Sequence, residues 1–252
     1  MKRLQGKVAV ISSAAGGIGA ACSWQLAQEG AKVYLADSDI GGLAQLAQRI
    51  RQQGGWAQPV SADPHMAGSY ATFVTHVVSR EGRVDILVNN LQPCQQGNAF
   101  DLLHTGCRDL LQGLERHLVQ VYEASRGAVA AMVETGGGSL IHIFSRPVAL
   151  PRGSEMDFAL LSKVVSQLSR GIALQYGRQG VRSNCIQVGY LEETLGNLPV
   201  EQIRALAPTI PLGRPGTPQE VARLCAFLAG QESAYLTGAT IPLDGGIGLL
   251  AT

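Results

Sequence analysis

The chain has 252 residues, of which 46% are hydrophobic and 15% are charged, and its formal net charge is +1. This is the composition of a globular domain. The sequence contains no basic stripe with interleaved aromatic residues, which argues against a nucleic-acid-binding surface. No run approaches the roughly eighteen apolar residues that a membrane helix needs. The apolar run after Met1-Lys2-Arg3 is too short for the core of a signal peptide, so we expect a cytoplasmic protein.

Short β-branched runs alternate along the chain with longer segments of helical periodicity. Strands are predicted at residues 7–12, 32–37, 56–61, 84–90, 139–144 and 181–188. Helices are predicted between them, ending at residues 29, 53, 79, 133 and 176. Strands that are apolar throughout are buried on both faces, which is typical of a parallel sheet covered by helices. The prediction is therefore one doubly wound α/β domain that spans residues 1–252.

A glycine-rich turn at residues 12–19 follows the first strand and opens the first helix. The backbone amides of such a turn and the helix N-terminus can bind a pyrophosphate, although glycine there also serves close packing. Asp37 ends the second strand about twenty residues later, where a carboxylate binds an adenosine ribose and repels the 2′-phosphate of NADP. A strand-end turn residue is the alternative interpretation of Asp37, and the sequence leaves both open.

Cysteine and histidine are spaced without the pairing that metal sites or disulfides require. The cysteines are odd in number and far apart, which is typical of reduced thiols: Cys22, Cys94, Cys107, Cys185 and Cys225. The histidines lack metal-ligand spacing as well: His65, His76, His104, His117 and His142. We therefore expect no metal site.

Over nearly its whole length, the chain resembles the short-chain dehydrogenase/reductase family. The motifs that carry the resemblance are SSAAGGIG at 12–19, Asp37, Asp63, LVNN at 87–90, GGGSLIHIFS at 136–145, residues 162–184, residues 213–230 and AYLTGATIPLDGG at 234–246. The resemblance implies a Rossmann-like fold and, if any cofactor is bound, NAD rather than NADP. It also implies a remnant of the cofactor site at Ser13, Gly17, Gly19, Asp37, Asp63 and Asn89.

The family's chemistry uses an asparagine, a serine, a tyrosine and a lysine. The tyrosine exchanges a proton with the carbinol oxygen, and the lysine lowers the pKa of that tyrosine through its positive charge. The resemblance places the serine on Ser145, the lysine on Lys163 and the asparagine on His117.

No tyrosine occupies the position of the family's catalytic tyrosine in this sequence. Its usual position, four residues before the lysine, is Ala159, and counting thirteen residues forward from the serine reaches Phe158. The enoyl reductase branch of the fold places it at Met156. No tyrosine lies between Ser145 and Lys163. Since alanine, phenylalanine and methionine carry no ionisable proton, we expect that the family mechanism does not operate.

The cofactor site departs from the family pattern in several places. Ser13 replaces the first glycine of the turn, which costs about 1 kcal/mol if that position needs a positive φ. After the paired asparagines, Leu91-Gln92 replaces the family's Ala-Gly, and we expect these larger side chains to project toward the adenosine pocket. At the nicotinamide end of the site, Val188-Gly189 replaces the family's Pro-Gly. An extra residue, Glu193, precedes Thr194 and is interpreted as part of a solvated loop. We therefore expect no cofactor in this chain.

Three hypotheses for function remain. The main one is a non-catalytic subunit that supports a homologous, active NAD-dependent hydroxyacyl-CoA or alcohol dehydrogenase subunit in a hetero-oligomer, expected to be a tetramer. The resemblance extends in kind to the inactive subunit of the benzylsuccinate-pathway 2-[hydroxy(phenyl)methyl]succinyl-CoA dehydrogenase. The second is an atypical oxidoreductase acting through Ser145, His117 and Lys163, with loop residue Tyr190 as a further candidate acid. The third is a dinucleotide-sensing protein that uses only the adenosine half-site.

The predicted helix that ends at residue 176 carries more apolar residues than one buried stripe can hold. They run too far around the helix for all of them to face the core of the same chain, so we expect some to contact another subunit. They are Phe158, Leu160, Leu161, Val164, Val165 and Leu168.

Overall fold

Seven parallel strands form one sheet in the computed structural model, which describes residues 2–63, 66, 68–91, 103, 106–145, 156–195 and 206–250. The strands are β1 (Val8–Ser12), β2 (Lys32–Asp37), β3 (Trp56–Ser61), β4 (Ile86–Asn90), β5 (Gly138–Ser145), β6 (Val181–Val188) and β7 (Thr240–Leu243). Their order in the sheet is β3-β2-β1-β4-β5-β6-β7, and every neighbouring pair is parallel. The predicted α/β fold is confirmed.

Helices connect the strands and cover both faces of the sheet. They are α1 (Gly17–Gln28), α2 (Ile40–Gln52), α3 (Ser69–Glu81), α4 (Cys107–Glu134), α5 (Met156–Tyr176), α6 (Glu192–Leu195) and α7 (Pro218–Ala229). Short 3-10 turns occupy Gly177–Gln179, Ala207–Thr209, Gln231–Ser233 and Ile247–Leu250. None of the helices in these described ranges combines the length and the apolarity needed to cross a membrane.

The core is divided between the two faces of the sheet. On one face, α1, α2 and α7 pack through residues such as Leu26, Leu43 and Val221. On the other face, α3, α4 and α5 pack through residues that include Phe73 and Ala128. Every residue of β1 and β4 is buried, which is the physical reason that the apolar residues Val8–Ile11 and Ile86–Val88 follow one another without polar alternation.

The chain reverses direction in the sheet at β1. It leaves β1 through α1 to reach β2 on one side, and it returns from β3 through α3 to β4 on the other side. The connections on the two sides of this point diverge, which opens a crevice beyond the carboxyl ends of β1 and β4. The end of β4 is fixed to the end of β1 there, because the Asn90 amide N–H donates to Oγ of Ser12 over 3.0 Å.

A chain of polar side chains crosses the buried sheet from α4 to α5. Nδ2 of Asn89 on β4 lies 3.2 Å from Oγ of Ser125 and 3.2 Å from Nδ1 of His142 on β5. Nε2 of His142 lies 3.3 Å from Oγ of Ser183 on β6, which lies 2.8 Å from Oγ of Ser169 on α5. Because Asn89 donates to Nδ1, the neutral imidazole carries its proton on Nε2 and donates it to Ser183.

Lowering the pH should destabilise the protein through His142, which is fully buried. Burial lowers the pKa of this imidazole from 6.5 to about 4. Between these values the unfolded chain binds a proton that the folded chain does not, so the free energy of unfolding falls as the pH falls. We expect a loss of roughly 2 kcal/mol between pH 7 and pH 4.5, measured by urea denaturation across that range.

Two asparagine substitutions test this assignment. His142→Asn should remove most of the pH dependence, since an amide does not titrate and can still accept from Asn89. The matched control is His76→Asn, because the His76 side chain is exposed. This variant should keep the pH dependence of the native protein's stability. If His142→Asn loses stability with falling pH as steeply as the native protein does, His142 is not the group responsible.

Candidate functional site

The glycine-rich turn brings α1 very close to the end of β1. A Cβ added to Gly19 would lie 1.9 Å from the carbonyl oxygen of Ser13, so no larger residue fits at Gly19. Ser13 has φ 48°, the one positive φ of a non-glycine residue in the described ranges. The condition stated from the sequence is therefore met, and the Cβ of Ser13 costs about 1 kcal/mol there.

Two side chains hold Ser13 in this conformation. Nδ2 of Asn90 donates to the Ser13 carbonyl oxygen over 3.1 Å. The hydroxyl of Tyr70, from the first turn of α3, lies near Ser13 and interacts with its side chain and backbone. Burial raises the pKa of this phenol, which keeps the hydroxyl neutral. The turn is therefore anchored from β4 and from α3 at once.

Replacing Gly19 by alanine should destabilise the protein by about 2 kcal/mol or more, because the added methyl group meets a backbone carbonyl that cannot move without unwinding the turn. Gly16→Ala is the matched control three residues earlier. Gly16 has an extended backbone with φ −142°, and an added Cβ would meet nothing within 4 Å. We expect Gly16→Ala to stay within about 1 kcal/mol of the native protein in urea denaturation. If the two variants lost equal amounts of unfolding free energy, the close approach of α1 to the end of β1 would be refuted.

Asp37 ties the end of β2 to the same turn. Its Oδ2 accepts the Ala15 amide N–H over 3.0 Å, and its Oδ1 accepts the Asp39 amide N–H over 3.1 Å. The structural role that the sequence left open is therefore observed, whereas ribose binding stays a prediction. Asp63 follows β3 at the same carboxyl edge of the sheet, where its amide N–H donates to Oγ of Ser69 over 2.9 Å.

The paired asparagines of β4 point in opposite directions. Asn89, the residue expected in the cofactor site, directs its amide toward Ser125 and His142 on the α4 and α5 side. Asn90, which the sequence analysis did not single out, contacts the glycine-rich turn instead. Its Oδ1 is buried and finds no hydrogen-bond partner among the described residues. Since successive residues of a strand face opposite sides of a sheet, only one of the pair can reach the turn.

Leu91 lies on the opposite side of the sheet from the place we expected. It is buried in a third apolar cluster, together with Val121 of α4, Phe144 of β5 and Leu161 of α5. The expectation that it pushes bulk toward the adenosine pocket is wrong, because the strand directs its side chain toward α4 and α5. Gln92 lies outside the described residues.

The positions that correspond to the family's catalytic residues lie on three elements. Ser145 ends β5 and is paired in register with Val188 of β6. His117 is half-buried on α4, and Lys163 on α5 has an exposed side chain. Phe158 and Ala159, like Met156, belong to the first turn of α5, but their side chains lie outside the described part of the chain.

The loop after β6 packs against the segment that follows β7. Val188 is buried, and a Cβ on Gly189 would lie 2.7 Å from Cα of Asp244, so the two backbones nearly touch. The carbonyl oxygen of Tyr190 accepts the Gly216 amide N–H over 2.8 Å. These contacts fix the course of the loop, while the proposed role of Tyr190 as an acid stays a prediction.

Glu193 lies directly over the glycine-rich turn. A Cβ built on Gly17, the first residue of α1, would be 2.7 Å from Oε2 and 2.9 Å from Oε1 of Glu193. The side chain is exposed, as expected for a solvated loop. That interpretation was incomplete, however, because the carboxylate is directed at the turn and not into open solvent.

A dinucleotide does not fit the turn in this arrangement. Its pyrophosphate would need the amides at the start of α1, and there the carboxylate of Glu193 already lies beside Gly17. On the adenosine side, the carboxyl edges of β2 and β3 still carry Asp37 and Asp63. The disagreement with a bound dinucleotide is therefore confined to the pyrophosphate end.

The cysteines and histidines form no metal-binding cluster in the part of the chain that is described. The thiols of Cys22, Cys107, Cys185 and Cys225 are free there. Burial raises the pKa of Cys185 to about 11, which makes it a poor nucleophile. Three residues named from the sequence lie outside the described ranges: Cys94, His65 and His104.

Comparison with known proteins agrees with the observed fold. The family model described as "Enoyl-(Acyl carrier protein) reductase" matches residues 13–248. The 7alpha-hydroxysteroid dehydrogenase of Clostridium sardiniense is 32% identical over 251 residues, which cover 99% of this chain and 96% of that enzyme. The chain belongs to the short-chain dehydrogenase/reductase family.

Other short-chain dehydrogenases/reductases extend the likeness to solved structures. A 7 alpha-hydroxysteroid dehydrogenase complexed with NADH and 7-oxo glycochenodeoxycholic acid has a TM-score of 0.87 and 26% identity, over 97% of this chain and 95% of that one. A short-chain type dehydrogenase/reductase from Mycobacterium marinum has a TM-score of 0.86 and 27% identity, over 98% and 97%. Oxidoreductase UcpA of Salmonella typhimurium is 32% identical over 98% of this chain and 96% of its own length. The similarity to these oxidoreductases therefore covers nearly the full length of both chains.

Proposed function

We propose that this chain is a non-catalytic short-chain dehydrogenase/reductase subunit that supports a homologous, active, NAD-dependent partner. The observation that carries the proposal is the absence of tyrosine between Ser145 and Lys163. Proton transfer to or from a carbinol oxygen needs an ionisable group within hydrogen-bonding reach. Alanine, phenylalanine and methionine at the three possible positions supply none.

Exposed apolar side chains on α4 and α5 support the assembly part of the proposal. On α5, Leu161 and Val165 are buried in the chain's own core, whereas Leu160, Val164 and Leu174 are 41%, 42% and 87% exposed. Tyr122 and two further apolar residues of α4 are exposed as well: Leu111 and Val133. Apolar side chains spread over two adjacent helices are typical of a protein interface.

A homologous subunit is the occupant that these helices favour. A partner of the same fold presents the same two helices, so the two faces can pack around a local twofold axis. The partner would supply NAD and the complete set of catalytic side chains for a hydroxyacyl-CoA or alcohol substrate. The resemblance to the benzylsuccinate-pathway dehydrogenase suggests the kind of complex, which pairs an active subunit with an inactive one in a tetramer.

Charging the α5 face should separate the complex. Val164→Glu places a carboxylate where the proposed partner packs, and an unpaired buried charge costs several kcal/mol, so the fraction of complex should fall strongly. Lys163→Ala, one residue away and exposed, is the matched control and should leave both assembly and partner turnover nearly unchanged. The test is co-expression with homologous dehydrogenases that retain the catalytic tyrosine, beginning with any encoded by a neighbouring gene, followed by size-exclusion chromatography and an assay of the partner.

Two outcomes would count against this proposal. A chain that stays apart from every homologous dehydrogenase tested is not a supporting subunit. A complex whose turnover disappears with Lys163→Ala uses this chain in catalysis, which contradicts a non-catalytic role.

The purified chain alone should neither oxidise alcohols nor reduce carbonyl compounds with NAD(H) or NADP(H). The reason is the same missing proton carrier, and a spectrophotometric assay at 340 nm run beside an active family member checks it. Turnover that is abolished by Lys163→Ala or His117→Ala would reverse the conclusion. It would favour the atypical oxidoreductase, in which a histidine transfers the proton near neutral pH.

A further inference from the structure

The N-terminus of α1 carries positive potential that its own sequence leaves uncompensated. Gly16 precedes the helix and offers no side chain to cap it, and the first turn contains no acidic residue. The unpaired amides at the start of a helix attract an anion, either from a ligand or from another part of the chain. A carboxylate of the chain lies there: an added Cβ on Gly17 would be 2.7 Å from Oε2 of Glu193.

The position of Glu193 is set by backbone contacts at the start of its short helix. Leu191 is 2% exposed and pairs with Gly216 in an isolated parallel bridge. The amide N–H of Glu192 donates to the Gly216 carbonyl oxygen over 3.0 Å. Because the segment is anchored immediately before Glu193, this side chain projects from a fixed point toward the glycine-rich turn.

The neighbouring carboxylate behaves differently. Glu192 interacts electrostatically with Arg214, which also pairs with Glu220 over 2.7 Å. The two adjacent glutamates therefore have different neighbours. Glu192 interacts with a cation on the loop before α7, whereas Glu193 lies beside the start of α1. This difference makes Glu192 a control of equal charge and equal length.

We propose that Glu193 acts as an internal anion that occupies the pyrophosphate position of the glycine-rich turn and excludes dinucleotides from this chain. A pyrophosphate brought to Gly17 would meet a carboxylate within contact distance, and two anions placed beside the same helix N-terminus repel each other. The inference rests on the proposed loss of cofactor binding and names the residue that determines it. It concerns the pyrophosphate end alone, since Asp37 remains in place at the ribose end.

Calorimetric titration with NAD and with inorganic pyrophosphate tests this role. Pyrophosphate probes the turn without involving the adenosine pocket. Glu193→Gln keeps the length of the side chain and removes its charge, so we expect both probes to bind about tenfold more tightly, or more, than to the native chain. Glu193→Asp and Glu192→Gln should bind no better than the native chain, because the first keeps the charge near the turn and the second leaves Glu193 intact.

The outcomes separate this inference from the proposed function. Tighter binding by Glu193→Gln alone supports the inference, and the absence of turnover in that variant leaves the non-catalytic subunit standing. If the native chain binds NAD as tightly as the Glu193→Gln variant does, the inference is overturned. It is also overturned if the Glu193→Gln variant binds neither NAD nor pyrophosphate while thermal melting shows that this variant is folded. Neither result touches the assembly test at Val164, whose failure would refute the subunit role independently.

Discussion

The close approach of α1 to the end of β1 is the constraint on which the rest of the candidate site depends. It requires glycine at position 19, because the Ser13 carbonyl occupies the space of a side chain there. It also directs the uncapped start of α1 into the crevice beyond β1 and β4. Once the backbone takes this course, an anion is favoured at the turn whatever its source. In most dinucleotide-binding domains that anion is a ligand, and here a carboxylate of the chain itself lies in its place.

Residues of the turn can persist without a cofactor because they also stabilise the fold. Asp37 accepts amide N–H groups from Ala15 and Asp39, and the side-chain amide of Asn90 donates to the Ser13 carbonyl oxygen. Losing either would leave buried or partly buried backbone groups unpaired, which costs about 1–3 kcal/mol for each group. A catalytic tyrosine has no comparable structural task, since its hydroxyl serves the substrate. Loss of the tyrosine with retention of the turn is therefore what a supporting subunit is expected to show, and intact turn residues alone do not indicate NAD binding.

The sequence predicts the layers of this fold better than the details of its site. Strands β1, β2, β4 and β5 are recognisable because most of their residues are buried and apolar, whereas β7 (Thr240–Leu243) is a four-residue edge strand containing proline and gives no such signal. The direction of Asn90 follows from strand alternation, once the register of β4 is known. The placement of Glu193 does not follow from local sequence, because it depends on the contact of Leu191 with Gly216, which is distant along the chain.

The polar network through His142 connects the sheet with the two helices that would face a partner. It runs from Ser125 on α4, through three strands, to Ser169 on α5. A hydrogen-bonded network in a low-dielectric interior tolerates little displacement of its members, so it fixes both helices against the sheet. The exposed side chains of Leu160 and Val164 are thereby held in a defined orientation without any contribution from the catalytic positions. Interface geometry and chemistry are thus physically separable in this domain, which is the condition that a non-catalytic subunit must meet.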